Sequence, residues 1–472
     1  MNIIIGAGPA GVSAGLNLAK HGNKALILEK ESNIGGLSKT LEFSYEGESY
    51  KTDTGPHRFF SQNPVLYDLI EDLLGDDWLV VDRLTRQYID GKYFNYPVDI
   101  MQALRNVDPF VAIHMVLDYV AATVKNILIK PKKDSFEQWI VSNFGRRLAE
   151  FNMLNYTEKI WGIPCSRIAG SWAAQRIKGM NALDIIKKAM VKSGGPRSMV
   201  NSFYYPKHGI QQIYDTMLQY ALDRDSKLEK NISLKKIFHN GSEIKSVEYE
   251  SNGDLVKKDL TNLISSMPIT ELVQILEPAA PDVVIEAARK LSYRDQVQVF
   301  LIIDKPHITE DTWIYFPTTP PTYGRLMEPK NWVDSMAPKN RSSLLVEYFV
   351  FKGDSMWKMD DDQIIKRTMH ELEWLGFVRK DDLLKGFVIR NEKSYPMWDV
   401  FYEDRLKIIT DYLDTIDNLY CVGRNGRFFY NNQDHSIETG LLAAQSIIDG
   451  KKYDLNKIGM EDTYFEAGML YK

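Results

Sequence analysis

The chain opens with an apolar run, Asn2 to Ile5, followed by a glycine-rich turn, an apolar stretch at helical spacing, and a second apolar run, Ala25 to Leu28. Short apolar runs bounded by glycine suit buried strands, so residues 2–29 predict the strand, turn, helix and strand that begin a parallel βαβ layer. From about Ile100 to Val200 the periodicity is helical, and Ser135-Phe-Glu-Gln is placed to act as a capping box. Residues 230–266 break into short strand-like runs, with Asn240-Gly241 as a hairpin turn. Between Gln296 and Ile389 two long β-type runs, Val297 to Ile303 and Leu344 to Phe351, are expected to flank a helix rich in Lys, Glu and Leu. Near the end, Leu419-Tyr-Cys-Val-Gly reads as a strand and Ser436 to Asp449 as a helix. No internal repeat or low-complexity linker interrupts this order.

Composition narrows the class. At 472 residues the chain exceeds what one core usually spans, which predicts two or three lobes. Apolar residues at 44% and charged residues at 26% describe an ordinary globular protein. The net charge, 58 − 63 = −5, argues against general affinity for nucleic acid or acidic membranes, while leaving room for a local basic pocket. Two cysteines, Cys165 and Cys421, make neither a disulfide framework nor a metal site, and point to a reducing cytoplasm. A first strand beginning at residue 2 is expected to leave no space for a signal peptide. The most apolar stretch, Phe110 to Ile129, is broken by His114, Asp118 and Lys125, which suits a core or interface helix better than a transmembrane segment.

The strongest chemical signal is Gly6-Ala-Gly8-Pro9-Ala10-Gly11, lying between the first strand and its helix. Gly6 permits the tight turn, Gly8 lets a pyrophosphate approach the backbone, and Gly11 lets helix and strand pack closely. The helix N-terminus then supplies free N–H groups and a positive dipole end. The second strand ends in Glu29, beside Lys30, where a carboxylate can accept ribose hydroxyls and disfavours a 2′-phosphate. Gly35-Gly36, followed by Leu37 and Ser38, gives a second close approach of backbone to cofactor and suggests FAD rather than NAD. Gly423-Arg424 ends a strand before another helix, which would aim a further N-terminus at the same ligand.

These features resemble the amine oxidase and protoporphyrinogen oxidase superfamily of flavoproteins, and further segments resemble the UDP-galactopyranose mutase family more narrowly. Gly55-Pro-His57-Arg-Phe-Phe is similar to the loop whose histidine lies beside the flavin, and Tyr96-Pro-Val-Asp to the uridine-pocket turn. Tyr156-Thr-Glu-Lys-Ile-Trp161 is similar to the Tyr-x-x-Lys-x-Trp segment, and Arg176 follows at the spacing of a diphosphate-binding arginine. Tyr315 with Arg325, then Tyr395, match residues on uridine and diphosphate. Gly423-Arg424, Tyr430 and Asn432-Gln433-Asp-His-Ser436 resemble the family's C-terminal run and are the most specific match. Departures cluster around sugar and phosphate: Asp99 replaces a common glutamine, Trp332 a tyrosine, and Asn201 is displaced by one place.

The resemblance implies an α/β fold: a Rossmann-like FAD-binding domain from discontinuous segments 1–95, 203–275 and 413–472, a helical insertion at 96–202, and an antiparallel-sheet substrate domain at 276–412. It implies a pyranose/furanose mutase acting on a nucleotide sugar, UDP-linked, in cell-surface polysaccharide synthesis. Reduced FAD would be the nucleophile at the anomeric carbon. His57, Arg176 and Arg325 would be catalytic, the arginines holding diphosphate through planar guanidinium forks. Tyr96, Trp161 and Tyr315 would stack on uracil or sugar, and Tyr395, Tyr430 and Asn432 would complete the clamp. FAD would rest on Gly6, Gly8, Pro9, Ala10, Gly11, Glu29, Lys30, Gly35, Gly36, Leu37, Ser38, Gly55, His57, Gly423, Arg424, Asn432, Gln433 and Ser436. An electron donor, NAD(P)H or a reductase, is required, and the 100–130 region would join a homodimer. Two other readings stay open here: a flavin oxidoreductase with net redox turnover, and a non-catalytic FAD-binding partner in glycan assembly.

Overall fold

The computed structural model describes residues 1–96, 106–128, 133–177 and 202–459. Arg176 sits on the helix Gly170–Ile177, but its side chain lies outside the described residues, as do Asp99 and Asn201.

Five short parallel strands form the nucleotide-binding layer, in the order Leu419–Cys421, Asn262–Ser265, Asn2–Ile5, Ala25–Leu28, Lys227–Glu229. The central strands Asn2–Ile5 and Ala25–Leu28 are buried along their whole length and need cover on both faces, which draws in strands far apart in sequence, with Lys227–Glu229 as the polar edge. One face is covered by the helices Pro9–Lys20, Gln211–Leu222 and Gln433–Ile448, which pack against one another. The contact is close at Gly440, where a Cβ would lie 2.0 Å from the carbonyl oxygen of Ala10. Ser13 Oγ donates across it to the carbonyl of Ile437 at 3.0 Å.

A seven-stranded sheet carries the second lobe, in the order Leu383–Pro396, Tyr293–Ile303, Ser342–Val350, Arg325–Met327, Trp313–Tyr315, Thr85–Ile89, Lys92–Asn95. Three expectations change here. Thr85–Ile89 and Lys92–Asn95, assigned to the first cofactor segment 1–95, belong to this sheet. The sheet is mixed rather than antiparallel, because Thr85–Ile89 runs parallel to Trp313–Tyr315. The helix Asp361–Trp374 follows both long β-runs instead of lying between them, and Trp313–Tyr315 and Arg325–Met327 occupy the interval. Local propensity marked these runs as strands but carries no information on which partners close the sheet.

The smaller hairpin sheet spans Ser233–His239, Ile244–Ser251 and Asp254–Asp259. Its turn is the expected one: Gly241 has φ +104° and Asn240 Oδ1 accepts from the Glu243 N–H at 2.9 Å. Ser135 caps the helix Phe136–Phe144 by accepting from the Gln138 N–H. The return bond of a capping box is absent, since Gln138 Oε1 accepts instead from the Asp134 N–H at 3.2 Å.

Within the apolar stretch Phe110 to Ile129, Phe110 to Leu128 proves to be neither core nor spanning, and Ile129 lies outside the described residues. The helix Pro109–Leu128 buries Met115 but leaves a row of large apolar side chains in solvent. Among the described residues, no helix is long and apolar enough to cross a membrane.

Candidate active site: a flavin cradle opening onto an arginine-centred cavity

A cavity of about 1370 Å³ lies between the two lobes, lined at one end by the glycine turn and at the other by the seven-stranded sheet. This exceeds the roughly 300–1,000 Å³ that holds one drug-sized ligand, so two ligands fit side by side.

The glycine end is built from backbone. Gly6 (φ +92°) turns the chain out of the first strand, and a Cβ on Gly11 would lie 1.9 Å from the Gly6 carbonyl oxygen, so no other residue fits there. Gly8 and Gly36 (φ +56°) face each other so closely that a Cβ on Gly36 would meet the Gly8 Cα at 3.3 Å. The Gly35 N–H donates to the Ala7 carbonyl at 2.9 Å, tying the second glycine pair to the first turn. Pro9 starts the helix, and Gly8 brings no capping side chain, so the first N–H groups remain for an anion. Glu29, 7% exposed, accepts from the N–H groups of Ala7 (2.7 Å) and Glu31 (2.9 Å). Those two bonds aim the carboxylate into the cavity beside Lys30 and leave acceptor capacity for hydroxyls.

The C-terminal run closes this end. Gln433 holds the His57 loop by donating to the carbonyls of His57 (3.3 Å) and Arg58 (2.9 Å). Asn432 stands at the N-cap position of the helix Gln433–Ile448 without a side-chain capping bond, and that helix points a second N-terminus at the cavity and sets Ser436 in its wall. Leu37, Ser38, Ala10, Gly423 and Arg424 line it too. Arg424 donates to the carbonyls of Asn431 and Ser394 and lies 5.1 and 5.2 Å from the ring centroids of Tyr395 and Tyr430. Its guanidinium therefore fixes the two phenols.

The other end is written across the sheet. Gln87, Tyr315, Arg325, Glu347 and Gln298 are register partners on five neighbouring strands, so one row of polar side chains crosses the sheet. Residues of opposite parity (Ile314, Leu326, Val346 and Val297 among them) fill an apolar core behind it. Arg325 pairs with Glu347 twice, Nε to Oε2 at 2.7 Å and Nη2 to Oε1 at 2.9 Å, and donates to the Tyr395 hydroxyl at 3.1 Å. Burial, the largest single effect, would lower the Arg325 pKa, but the Glu347 carboxylate together with the phenols of Tyr395, Tyr156 and Tyr315 outweighs it and holds it well above its usual value. Gln296 also donates to Glu347, at 3.1 Å.

Around Arg325 stand phenols that donate without adding charge. Tyr96 and Tyr315 meet at 4.7 Å between centroids, Tyr156 meets Tyr315 edge-on at 5.4 Å, and Tyr395 stacks on Tyr430 at 5.5 Å. Trp161 is 3% exposed, packed against Trp172, with one edge in the cavity wall. Trp332 stands outside, in an aromatic cluster with Phe203, Tyr205 and Trp313.

His57 lies in the wall where the two ends meet. Burial, reinforced by the charge of Arg424, lowers its pKa to about 3, so the ring is neutral at physiological pH. Gly55 (φ +132°) lets it approach the ion pair, since a Cβ there would meet Glu347 Oε1 at 3.2 Å and His57 Nε2 at 3.6 Å.

Sequence reading missed Glu347, Gln298, Lys159 and Arg294. The lone carboxylate in Leu344-Leu-Val-Glu-Tyr-Phe-Val was the available signal, because a charge amid a buried strand needs a partner. Lys159 donates to the carbonyls of Phe316 (2.8 Å), Thr318 (2.7 Å) and Pro321 (2.7 Å), and burial lowers its pKa to about 7. Arg294 donates to the Ile160 and Phe349 carbonyls. Together they rivet the helix Asn155–Trp161, with Tyr156 and Trp161, to the sheet.

The family model for flavin-containing amine oxidoreductases matches residues 9–448. The chain belongs to that family. The cradle fits the flavin dinucleotide the family carries: two helix N-termini, touching glycines and an inward carboxylate answer its diphosphate and ribose. A probable UDP-galactopyranose mutase of Klebsiella pneumoniae is 25% identical over 178 residues, 36% of this chain and 43% of that protein. An all-trans-zeta-carotene desaturase of Myxococcus xanthus is 46% identical over 54 residues, 11% of this chain and 10% of that one. The chain thus matches less than half the length of these curated relatives. Among solved structures, a reduced UDP-galactopyranose mutase is similar at TM-score 0.83 and 20% identity, over 98% of this chain and 99% of that one. A putrescine oxidase bound to putrescine is similar at TM-score 0.64 and 15% identity, over 95% and 98%. At such identities the likeness establishes the fold.

Proposed function

We propose that the chain is an FAD-dependent nucleotide-sugar mutase that interconverts pyranose and furanose forms. The observation that carries this reading is Arg325, buried and ion-paired in a cavity with room beyond the cradle, and ringed by Tyr156, Tyr315 and Tyr395. A buried guanidinium with neutral donors around it suits a diphosphate: the anion gains bidentate bonds without meeting a cluster of uncompensated charge. When bound, reduced flavin supplies a nucleophile for the anomeric carbon. The protein's residues hold and orient. Arg325, with Arg176 from the helix Gly170–Ile177, retains the departing diphosphate so that its return is effectively unimolecular. Tyr395, Tyr430 and Asn432 donate to its oxygens, while Tyr96, Tyr315 and Trp161 face the base and sugar. Neutral His57 orients the flavin through hydrogen bonding.

The test is to reduce the FAD-loaded protein anaerobically, mix it with UDP-galactose and related nucleotide sugars, and trap with cyanoborohydride. Mass spectrometry of the released flavin should show an increment of one sugar. Unmodified FAD across the panel, with reduction and binding confirmed, would overturn the proposal.

One observation favours a second reading. Phe136, Phe144, Leu148, Phe151 and Met153 give the cavity an apolar wall that a nucleotide sugar does not need. A flavin oxidoreductase acting on an apolar substrate would use it. Stoichiometric consumption of an electron acceptor with substrate identifies that case.

A further inference from the structure

The helix Pro109–Leu128 is firmly seated on one side and bare on the other. Its inner side packs against Phe136–Phe144 and Arg146–Leu148, and the approach is close at Gly145, where a Cβ would lie 2.9 Å from the backbone of Asp118. Asp118 accepts from the Arg147 N–H at 2.8 Å, and Asn126 donates to the Ser142 carbonyl. The outer side carries Phe110 (75% exposed), Val111, Ile113, Val116, Leu117 (59%), Val120, Val124 and Leu128 (77%). At about 100° per residue, all of these but Val111 fall within roughly 140° of the circumference. Stripes this wide normally face a core.

Within that arc there is no carboxylate. Its edge carries His114 and Lys125, exposed Lys133 follows five residues after the helix end, and exposed Arg147 lies beside Asp118 at mid-helix. A second copy of this chain would set the same basic edge against this one, like charge facing like charge. On an anionic bilayer the apolar arc enters the headgroup boundary while Lys125 and Lys133 meet anionic phosphates. We propose that Pro109–Leu128 is an interfacial helix that docks the enzyme on an anionic membrane surface, lying in its plane rather than crossing it.

The docking helix packs on the segments whose other faces supply Phe136, Phe144 and Leu148 to the cavity. Membrane docking would thus place the apolar wall of the site near the lipid boundary. The inference stands whether the reaction is isomerisation or oxidation.

The experiment is flotation of the FAD-loaded full chain with vesicles of phosphatidylcholine alone, or with one third phosphatidylglycerol. The protein should float with the anionic vesicles, less with the neutral ones, and less as salt is raised. Leu117→Glu with Val120→Glu, both exposed, should cut the bound fraction at least tenfold with flavin content and melting unchanged. Lys125→Glu should cut it several-fold, as each basic residue near an anionic surface contributes roughly fivefold. A parent protein that stays down with both vesicles overturns the proposal. If that protein is a dimer by light scattering and the double variant a monomer, the face binds a second copy instead. A double variant that floats like its parent places any membrane contact elsewhere.

Discussion

Glu347 is 0% exposed and its carboxylate is the counter-charge to Arg325, so replacing it by glutamine isolates one electrostatic interaction. Shape and one acceptor oxygen are kept, but Arg325, with a side chain only 15% exposed, retains a positive charge with no opposite charge beside it. Removing one member of a buried pair costs about 3–5 kcal/mol, and the retained acceptor places this change near 3 kcal/mol. That is a large part of the roughly 5–15 kcal/mol that holds a typical domain together. Urea unfolding of FAD-loaded parent and Glu347→Gln should show it as a lowered midpoint. Arg325→Met should destabilise comparably by stranding the carboxylate, and the double variant should lose less than the sum of the two. Added uridine diphosphate should restore more stability to Glu347→Gln than to the parent, because the diphosphate replaces the missing charge. An unfolding midpoint within about 0.5 kcal/mol of the parent would refute the claim that the pair is mutually dependent. A midpoint that falls, with no preferential rescue by uridine diphosphate, would leave the pair intact and refute its place in the diphosphate site.

Glu29→Ala should lower FAD occupancy on purification, read from the ratio of flavin to protein absorbance; full occupancy would contradict the ribose role. Lys159→Met strands three carbonyls beside Tyr315 and should cost about 3 kcal/mol in urea. Isothermal titration should then show weaker binding of uridine diphosphate with FAD retained, and unchanged affinity would remove Lys159 from the positioning of the pocket. Asp53, buried, has its pKa raised to about 7 by desolvation, against the opposing hydrogen bonds from Tyr205, Thr40 and Ile210. The native state therefore holds a proton that the unfolded state releases near pH 4, so stability should fall as pH rises from about 4 to 7. The slope approaches 1.4 kcal/mol per pH unit in mid-window, and Asp53→Asn should flatten it.

The cofactor end was legible because its chemistry is local. A turn that brings backbone N–H groups to a diphosphate needs glycine at Gly6, Gly8 and Gly11, and those requirements are met within six residues. The second strand's length then carries Glu29 to the cavity wall, where its carboxylate accepts from the Ala7 and Glu31 N–H groups. Tyr96, Tyr315, Tyr395, Tyr430 and Arg325 were also named from short patterns, but their meeting in one cavity was not contained in those patterns. It follows from the register of five strands drawn from residues 85 to 350, and a shift of one residue in any of them would turn its polar member into the core. Glu347 shows the difference. Its strand reads as apolar, and only the pairing with Arg325 turns a costly buried charge into the centre of a site.

The helix Pro109–Leu128 makes the same point in reverse. Its periodicity and length are properties of its own residues, so the helix itself was readable. Which of its two apolar faces meets the protein was decided by Gly145, Asp118 and Asn126, contacts across tens of residues. The sequence by itself thus determined the βαβ start, the flavin turn and the placing of strands and helices, because those depend on neighbours a few residues away. Tertiary structure decided the mixed sheet, the polar row and the exposed face, because burial and strand register are set by partners that no local pattern specifies.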